Sequence, residues 1–253
     1  MSVAIDTFFG KFGELADDVE AVPKLRALLI DSAIHGLLVK NDPADKAVSL
    51  LAPPRKVQSL PLNWRTGSLG EAFSFEYGDN LPKPKRSETG EVPVYGSNGI
   101  VGTHNKALTE EPSIIVGRKG SAGALNLANG PSWTTDVAYY VTPSDEIDLR
   151  YTFYLFTSLR LDELGKGIKP GLSRKEEYTL PINLPPLAEQ RRIVAKVDQL
   201  MALVDEWEAR LTVTRTTATH LLDALVAELT SSAKGATPSQ PGATPQGKSR
   251  QNF

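Results

Sequence analysis

Pro185-Pro186-Leu187-Ala188-Glu189-Gln190-Arg191-Arg192-Ile193 ends a region of short, glycine-punctuated apolar runs and opens a long helical pattern. From Ile193 the apolar positions recur at four- and three-residue steps through Val197, Leu200, Val204, Trp207, Leu211, Thr214, Ala218, Leu221 and Leu225. That is the heptad spacing that keeps one stripe of a helix against a partner helix. The two prolines suit a first helical turn, where missing amide hydrogens cost nothing. A helix from Leu187 to Leu229 would be roughly 65 Å long at about 1.5 Å per residue, enough to act as a spacer. The competing reading is a surface helix packed on its own domain. Thr212, Thr214, Thr216, Thr217 and Thr219 are poor helix formers, so a bend is expected near Thr214. The stripe predicts that replacing Val204 and Leu211 by Asp abolishes assembly and leaves the preceding domain folded.

Composition narrows the class. The chain has 253 residues, a formal net charge of −2, 40% hydrophobic residues and no cysteine, as expected of a globular protein without disulfides or thiolate metal sites. No apolar run approaches membrane-spanning length, and Met1 to Phe9 lacks a secretory pattern, so a cytoplasmic address is expected. His35, His104 and His220 are too scattered to suggest a metal cluster. Residues 53–185 hold fifteen Lys/Arg against fifteen Asp/Glu, so bulk charge does not announce nucleic-acid binding. The basic residues nevertheless fall in groups beside glycines or prolines: Lys83, Lys85 and Arg86; Arg118 and Lys119; Lys166 and Lys169; Arg174 and Lys175. These groups are expected on loops.

Four segments follow: 1–54, an N-terminal helical segment; 55–185, a β-rich domain; 186–231, the long helix; and 232–253, a disordered tail. The first contains an amphipathic helix over Pro23 to Leu38, with Leu25, Leu28, Leu29, Ala33 and Leu37 on one face and Asn41-Asp42-Pro43 as the stop. Val92 to Tyr95, Ser113 to Val116, Asp136 to Val141 and Tyr178 to Leu184 read as strands, and Arg150 to Leu164 as a helix. After Ser231 the composition collapses to small and polar residues that bury little apolar surface. Gly242-Ala243-Thr244-Pro245-Gln246-Gly247-Lys248-Ser249 in that tail matches a phosphate loop literally. It lacks the flanking strand and helix that make such a loop work, and is read as chance.

Catalytic signatures are missing. There is no H-E-x-x-H, no G-x-S-x-G and no paired cysteines. Gly117-Arg118-Lys119-Gly120-Ser121-Ala122-Gly123 has the wrong spacing for a dinucleotide loop and reads as tight turns. Asn183-Leu184-Pro185-Pro186-Leu187 lacks the aromatic of an amino-methyltransferase motif, and Asp162, Glu163 and Lys166 do not make a metal-nuclease set. No active site and no cofactor are expected in this chain.

Several segments, taken in order, resemble the specificity subunits of type I restriction-modification systems. Leu25 to Val39 is similar to the family's helix ending in Gly-Lys-Leu-Val, with Leu37 where lysine is common, and Asp42-Pro43 follows as usual. Leu60-Pro61-Leu62-Asn63-Trp64 resembles its Leu-Pro-x-x-Trp lead-in, and Gly67-Ser68-Leu69-Gly70-Glu71 the strand entry after it. Val92 to Gly102 and Ile114 to Gly123 are similar to two segments of the target recognition domain. Gly171-Leu172-Ser173 and Leu184 to Ile193 complete the order.

The resemblance implies an α+β fold: one β-rich target recognition domain flanked by an N-terminal helix and a long C-terminal coiled-coil helix. It implies a non-catalytic chain that reads double-stranded DNA. Such a chain directs methyltransferase subunits (adenine methylation, with S-adenosylmethionine on that partner) and, where present, a restriction subunit. Candidate DNA contacts are Lys83, Lys85, Arg86, Tyr95, Ser97, Asn98, Arg118, Lys119, Lys169, Arg174 and Lys175; Gly96, Gly99, Gly117 and Gly120 read as turn geometry. Candidate partner-facing residues are Ile193, Val197, Leu200, Val204, Trp207, Leu211, Leu221 and Leu225. A full-length member carries two recognition domains and this chain one, so a homodimer reading a bipartite, palindromic site is expected. The alternatives are an inactive or partial specificity protein, or a coiled-coil scaffold that does not read sequence.

Overall fold

A computed structural model of the chain describes residues 21–54, 60–87, 89–164 and 171–235. Lys169, the phosphate-loop match and the tail from residue 236 lie outside the described residues. The chain divides into two units, residues 1–204 and 205–253.

Ser113–Gly117 (β5) organises the first unit, as the uninterrupted apolar run Ile114-Ile115-Val116 suggests. Ile114 and Val116 enter the main core, whereas Ile115 enters a second, smaller cluster with Tyr95, Ala128 and Ala138. A strand buried on both faces has no polar alternation, and this one shows none. Antiparallel neighbours flank it: Leu125–Ala128 (β6) on one side and Ala138–Val141 (β8) on the other, with Glu76–Tyr77 (β2) beyond β8. A second sheet has the order β4-β3-β7, with Val92–Gly96 (β3) antiparallel to Gly99–His104 (β4) and parallel to Trp133–Thr134 (β7). Arg65–Ser68 (β1) pairs with Pro181–Leu184 (β9), joining the start of the domain to its end.

The helices close the core. Ala21–Ile34 (α1) packs beside Leu149–Ser158 (α3), whose first amides at Arg150 and Tyr151 are capped by the Asp148 carboxylate. Short helices Leu69–Ala72 (α2), Leu161–Leu164 (α4) and Arg174–Glu177 (α5) turn the chain at the domain edges. Leu187–Gly235 (α6) is the long helix, beginning where the double proline predicts.

Four local expectations are corrected. The first helix stops at Ile34 because Gly36 takes a left-handed φ of +73°, and the amides of Gly36 and Leu37 cap the carbonyls of Ala33 and Ser32. Its buried face is Ala21, Val22, Leu25, Ile30, Ala33 and Ile34; Leu28 and Leu37 are exposed. The helix expected over 150–164 breaks at Arg160, which has a positive φ of 48°. The final strand is only Pro181–Leu184, because α5 and its turn take up the residues before it.

No break interrupts α6 at the threonines: Thr212, Thr214, Thr216, Thr217 and Thr219 each donate a hydroxyl to the carbonyl four residues back. That local bond offsets the rotamer cost of β-branching in a helix. The helix also takes in residues 232–235 of the expected tail. No helix among the described residues is long and apolar enough to cross a membrane.

Candidate nucleic-acid interface

Three loops meet on one side of the domain. The chain leaves β5 at Gly117 and folds back, with Gly123 donating to the Gly117 carbonyl at 2.8 Å. A Cβ on Gly117 would lie 2.0 Å from the Ser121 carbonyl oxygen and 2.5 Å from that of Ser97. Only glycine permits this approach, which seats the Ser97-Asn98 turn of the β3–β4 hairpin against the Arg118 loop. The amides of Arg118 and Lys119 both donate to the Val137 carbonyl, at 2.9 and 3.0 Å. The Arg118 carbonyl in turn accepts from Leu172 at 2.9 Å, bringing in the segment that leads to Arg174 and Lys175.

At the centre Arg118 and Arg174 stack on a group of three tyrosines. The Arg118 guanidinium lies 5.2 Å from the Tyr77 ring centre and 5.8 Å from that of Tyr139. The Arg174 guanidinium lies 5.0 Å from the same Tyr77 ring and 5.9 Å from that of Tyr178. Backbone carbonyls hold both cations. Arg118 donates through Nε at 3.2 Å, and also through Nη2, to Asp136; Arg174 donates through Nη1 to Phe75 at 3.2 Å. Weakly hydrated guanidinium groups stack well on aromatic faces, each contact contributing about 0.5–2 kcal/mol depending on exposure. Burial pushes the Tyr139 hydroxyl up to about 12, Tyr77 adding to the shift and Arg118 opposing it.

Beneath the stack lies Glu177, fully buried, with neither carboxyl oxygen hydrogen-bonded among the described residues. Burial raises its pKa to about 7, with Glu176 adding and Arg174 opposing.

The candidates read from sequence divide into groups. Ser97, Asn98, Arg118, Lys119, Arg174 and Lys175 fall on the joined loops. Lys83 and Lys85 are exposed on a 3-10 turn (Lys83–Lys85), apart from the stack. Arg86 is half-buried and donates to the carbonyls of Leu81 at 3.1 Å and Val101 at 2.8 Å, bracing β4. Tyr95 is buried between the sheets with its hydroxyl on the Leu127 carbonyl. Tyr77, Tyr139, Tyr178 and Glu177 were not anticipated. Tyr77 belongs to a two-residue strand too short to show any period, and only the pairing of β2 with β8 brings it to Arg118.

The heptad residues divide as well. Ile193 and Val197 are fully buried in the chain's own core and Val204 is buried too, so the upper part of the stripe is not free for a partner. Leu200, Trp207 and Leu211 are half-buried. Leu221 and Leu225 are 61% and 55% exposed, accompanied by exposed Leu222, Val226 and Leu229.

Known proteins resemble the chain in sequence and in fold. A type I restriction enzyme specificity subunit of Haemophilus influenzae is 26% identical over 136 residues, which is 51% of this chain and 35% of that protein. The type I restriction enzyme EcoDI specificity subunit of Escherichia coli is 27% identical over 158 residues, 60% of this chain and 34% of the relative. The chain thus spans about a third of the length of these curated relatives. The crystal structure of the HsdS subunit from Thermoanaerobacter tengcongensis shares the fold, with a TM-score of 0.52 at 22% identity over 79% of this chain and 51% of that one. Residues 61–212, more than half the chain, match the model of the type I restriction modification DNA specificity domain, and the protein belongs to that family.

Proposed function

We propose that this chain binds double-stranded DNA in a sequence-dependent way, as the reading element of a type I restriction-modification complex. The observation that carries the proposal is the convergence of the Ser97-Asn98 turn, the Arg118-Lys119 loop and the Arg174-Lys175 helix on one face. Cationic side chains there would hold phosphates and set register, and the polar tips beside them would meet base edges in the major groove. The chain would contribute binding alone. Adenine methylation, with its S-adenosylmethionine, would belong to partner methyltransferase subunits, and cleavage to a restriction subunit where one is present.

The exposed apolar residues of α6 from Leu221 to Leu229 favour helix-to-helix assembly. In a homodimer, two readers would face a bipartite, palindromic site. The test is expression with the methyltransferase partner, followed by mapping of methylated adenines across a genome. A split symmetric motif is the expected result. A split asymmetric motif would replace the homodimer by pairing with a different chain. Absence of any motif would overturn the reading and leave a scaffold or an inactive specificity protein.

A further inference from the structure

Tyr77 has a role that neither sequence pattern nor family membership assigns. Two guanidinium groups lie within 5.2 Å of its ring centre, and the ring itself is half exposed. Among the described residues, no carboxylate comes within 4.0 Å of either Arg118 or Arg174 in an ion pair. Glu177 is the nearby acid that acts on Arg174, but it is buried and forms no ion pair with it. Gathering two cations without an ion-pair partner on one half-exposed ring raises the local potential at the surface, and an anion beside them lowers it. Their positions are fixed beforehand. Each is held by a backbone carbonyl and by two tyrosine faces, and each guanidinium, with five N–H donors, retains donors beyond those already engaged.

We propose that Arg118 and Arg174, both packed on Tyr77, form a preformed seat for one backbone phosphodiester of the DNA, with Tyr77 as the positioning residue. The proposal rests on the DNA-binding function given above and adds a division of labour to it. Guanidinium groups tied to Asp136 and Phe75 cannot extend to the floor of a groove, so they anchor without reading sequence. Lys119 and Asn98 are exposed beside them and are the groups free to reach further. Fixed cations suit phosphate, which presents the same charge and geometry at every step of the duplex.

The test uses the full chain and a pool of duplexes with a randomised centre, measured for affinity across a salt series and for the sequences enriched on binding. Arg118→Gln and Arg174→Gln should each weaken binding to all duplexes about ten-fold and lower the salt slope by about one, with the enriched motif unchanged. Tyr77→Ala should produce the same pattern, and Tyr77→Phe, which keeps the ring face, should restore the wild-type slope. A variant that no longer melts cooperatively is set aside, and the other arginine variant with Tyr77→Phe carries the test. An unchanged salt slope in both arginine variants, or an enriched motif altered at one base position, would overturn the phosphate seat. If the wild-type chain enriches no sequence at all, the DNA-reading function itself falls; wild-type enrichment with unaltered variant slopes overturns the seat alone.

Discussion

The indole Nε1 of Trp64 donates to the carboxylate of Glu189 at 3.2 Å, linking residues 125 positions apart. Trp64 ends the lead-in to the recognition domain and Glu189 lies in the first turn of α6, so the bond joins the domain's entrance to its exit. Asn41 adds a second donor to the same carboxylate oxygen at 2.7 Å, and Arg192 pairs with Asp45 at 2.6 Å. Gln190, also buried, accepts from the Asp148 amide at 2.8 Å and donates to the Pro185 carbonyl at 2.9 Å. Arg150 and Tyr154 of α3 both donate to Asp198 of α6. Glu189-Gln190 is thus a structural pair that fixes the first turns of the helix to the domain that precedes it.

Removing one donor from a buried carboxylate leaves it under-solvated. Trp64→Phe is therefore expected to cost about 1–3 kcal/mol of stability, read from urea unfolding. A midpoint equal to that of the wild type would show that the bond contributes nothing net.

Gly36 ends α1 with a left-handed φ of +73°, and an added Cβ would sit 2.9 Å from the buried Trp64 ring. Gly36→Ala combines backbone strain with a clash and should cost about 2–4 kcal/mol. At Gly130 nothing lies within 4 Å of an added Cβ, so Gly130→Ala should stay within about 0.5 kcal/mol of wild type. Thermal melts of the pair check this, and equal melting temperatures would contradict it.

Glu177 makes stability depend on pH. Its carboxyl has an ordinary value of 4.5 and a native value of about 7, so between these the folded protein keeps a proton that the unfolded chain has released. Stability should fall as pH rises from about 4.5 to about 7 and level off above, the contribution being on the order of 2–4 kcal/mol. Glu177→Gln removes the ionisation; it should be more stable than wild type at pH 8 and close to it at pH 5. Parallel stability curves for the two proteins would rule out burial of an ionising Glu177.

Assembly and folding should separate along α6. Leu221→Asp with Leu225→Asp alters exposed positions and is expected to abolish self-association without lowering the unfolding midpoint of the first unit, measured by light scattering and circular dichroism. Ile193→Asp places a charge in the core and should unfold the domain, at a cost of about 4 kcal/mol or more. The burial of Val204 makes Val204→Asp a mixed probe of folding and assembly, so the clean test moves to Leu221 and Leu225. Unchanged association of the double variant would remove the exposed stripe as an interface.

Strong local signals were legible. The apolar run of β5, the start of α6 after Pro185-Pro186 and the glycine-bounded loop at Arg118 are each announced by residues adjacent in sequence. Strands β2 and β7 have two residues each and carry no period, and β1 is Arg65-Thr66-Gly67-Ser68, without a large apolar side chain. They exist because a distant partner supplies their hydrogen bonds, as Leu184 does opposite Arg65.

Sequence alone determined the α+β class, the order of family segments and the heptad spacing, since each rests on residues close together in the chain. The tertiary structure decided which of those residues are available. It placed Arg118 and Arg174 on one tyrosine, buried Tyr95 between the sheets, and drew Ile193 and Val197 into the chain's own core. The reason is physical: burial and cation stacking depend on contacts between segments far apart in the chain, and a local pattern records only that a side chain needs a partner, not where that partner comes from.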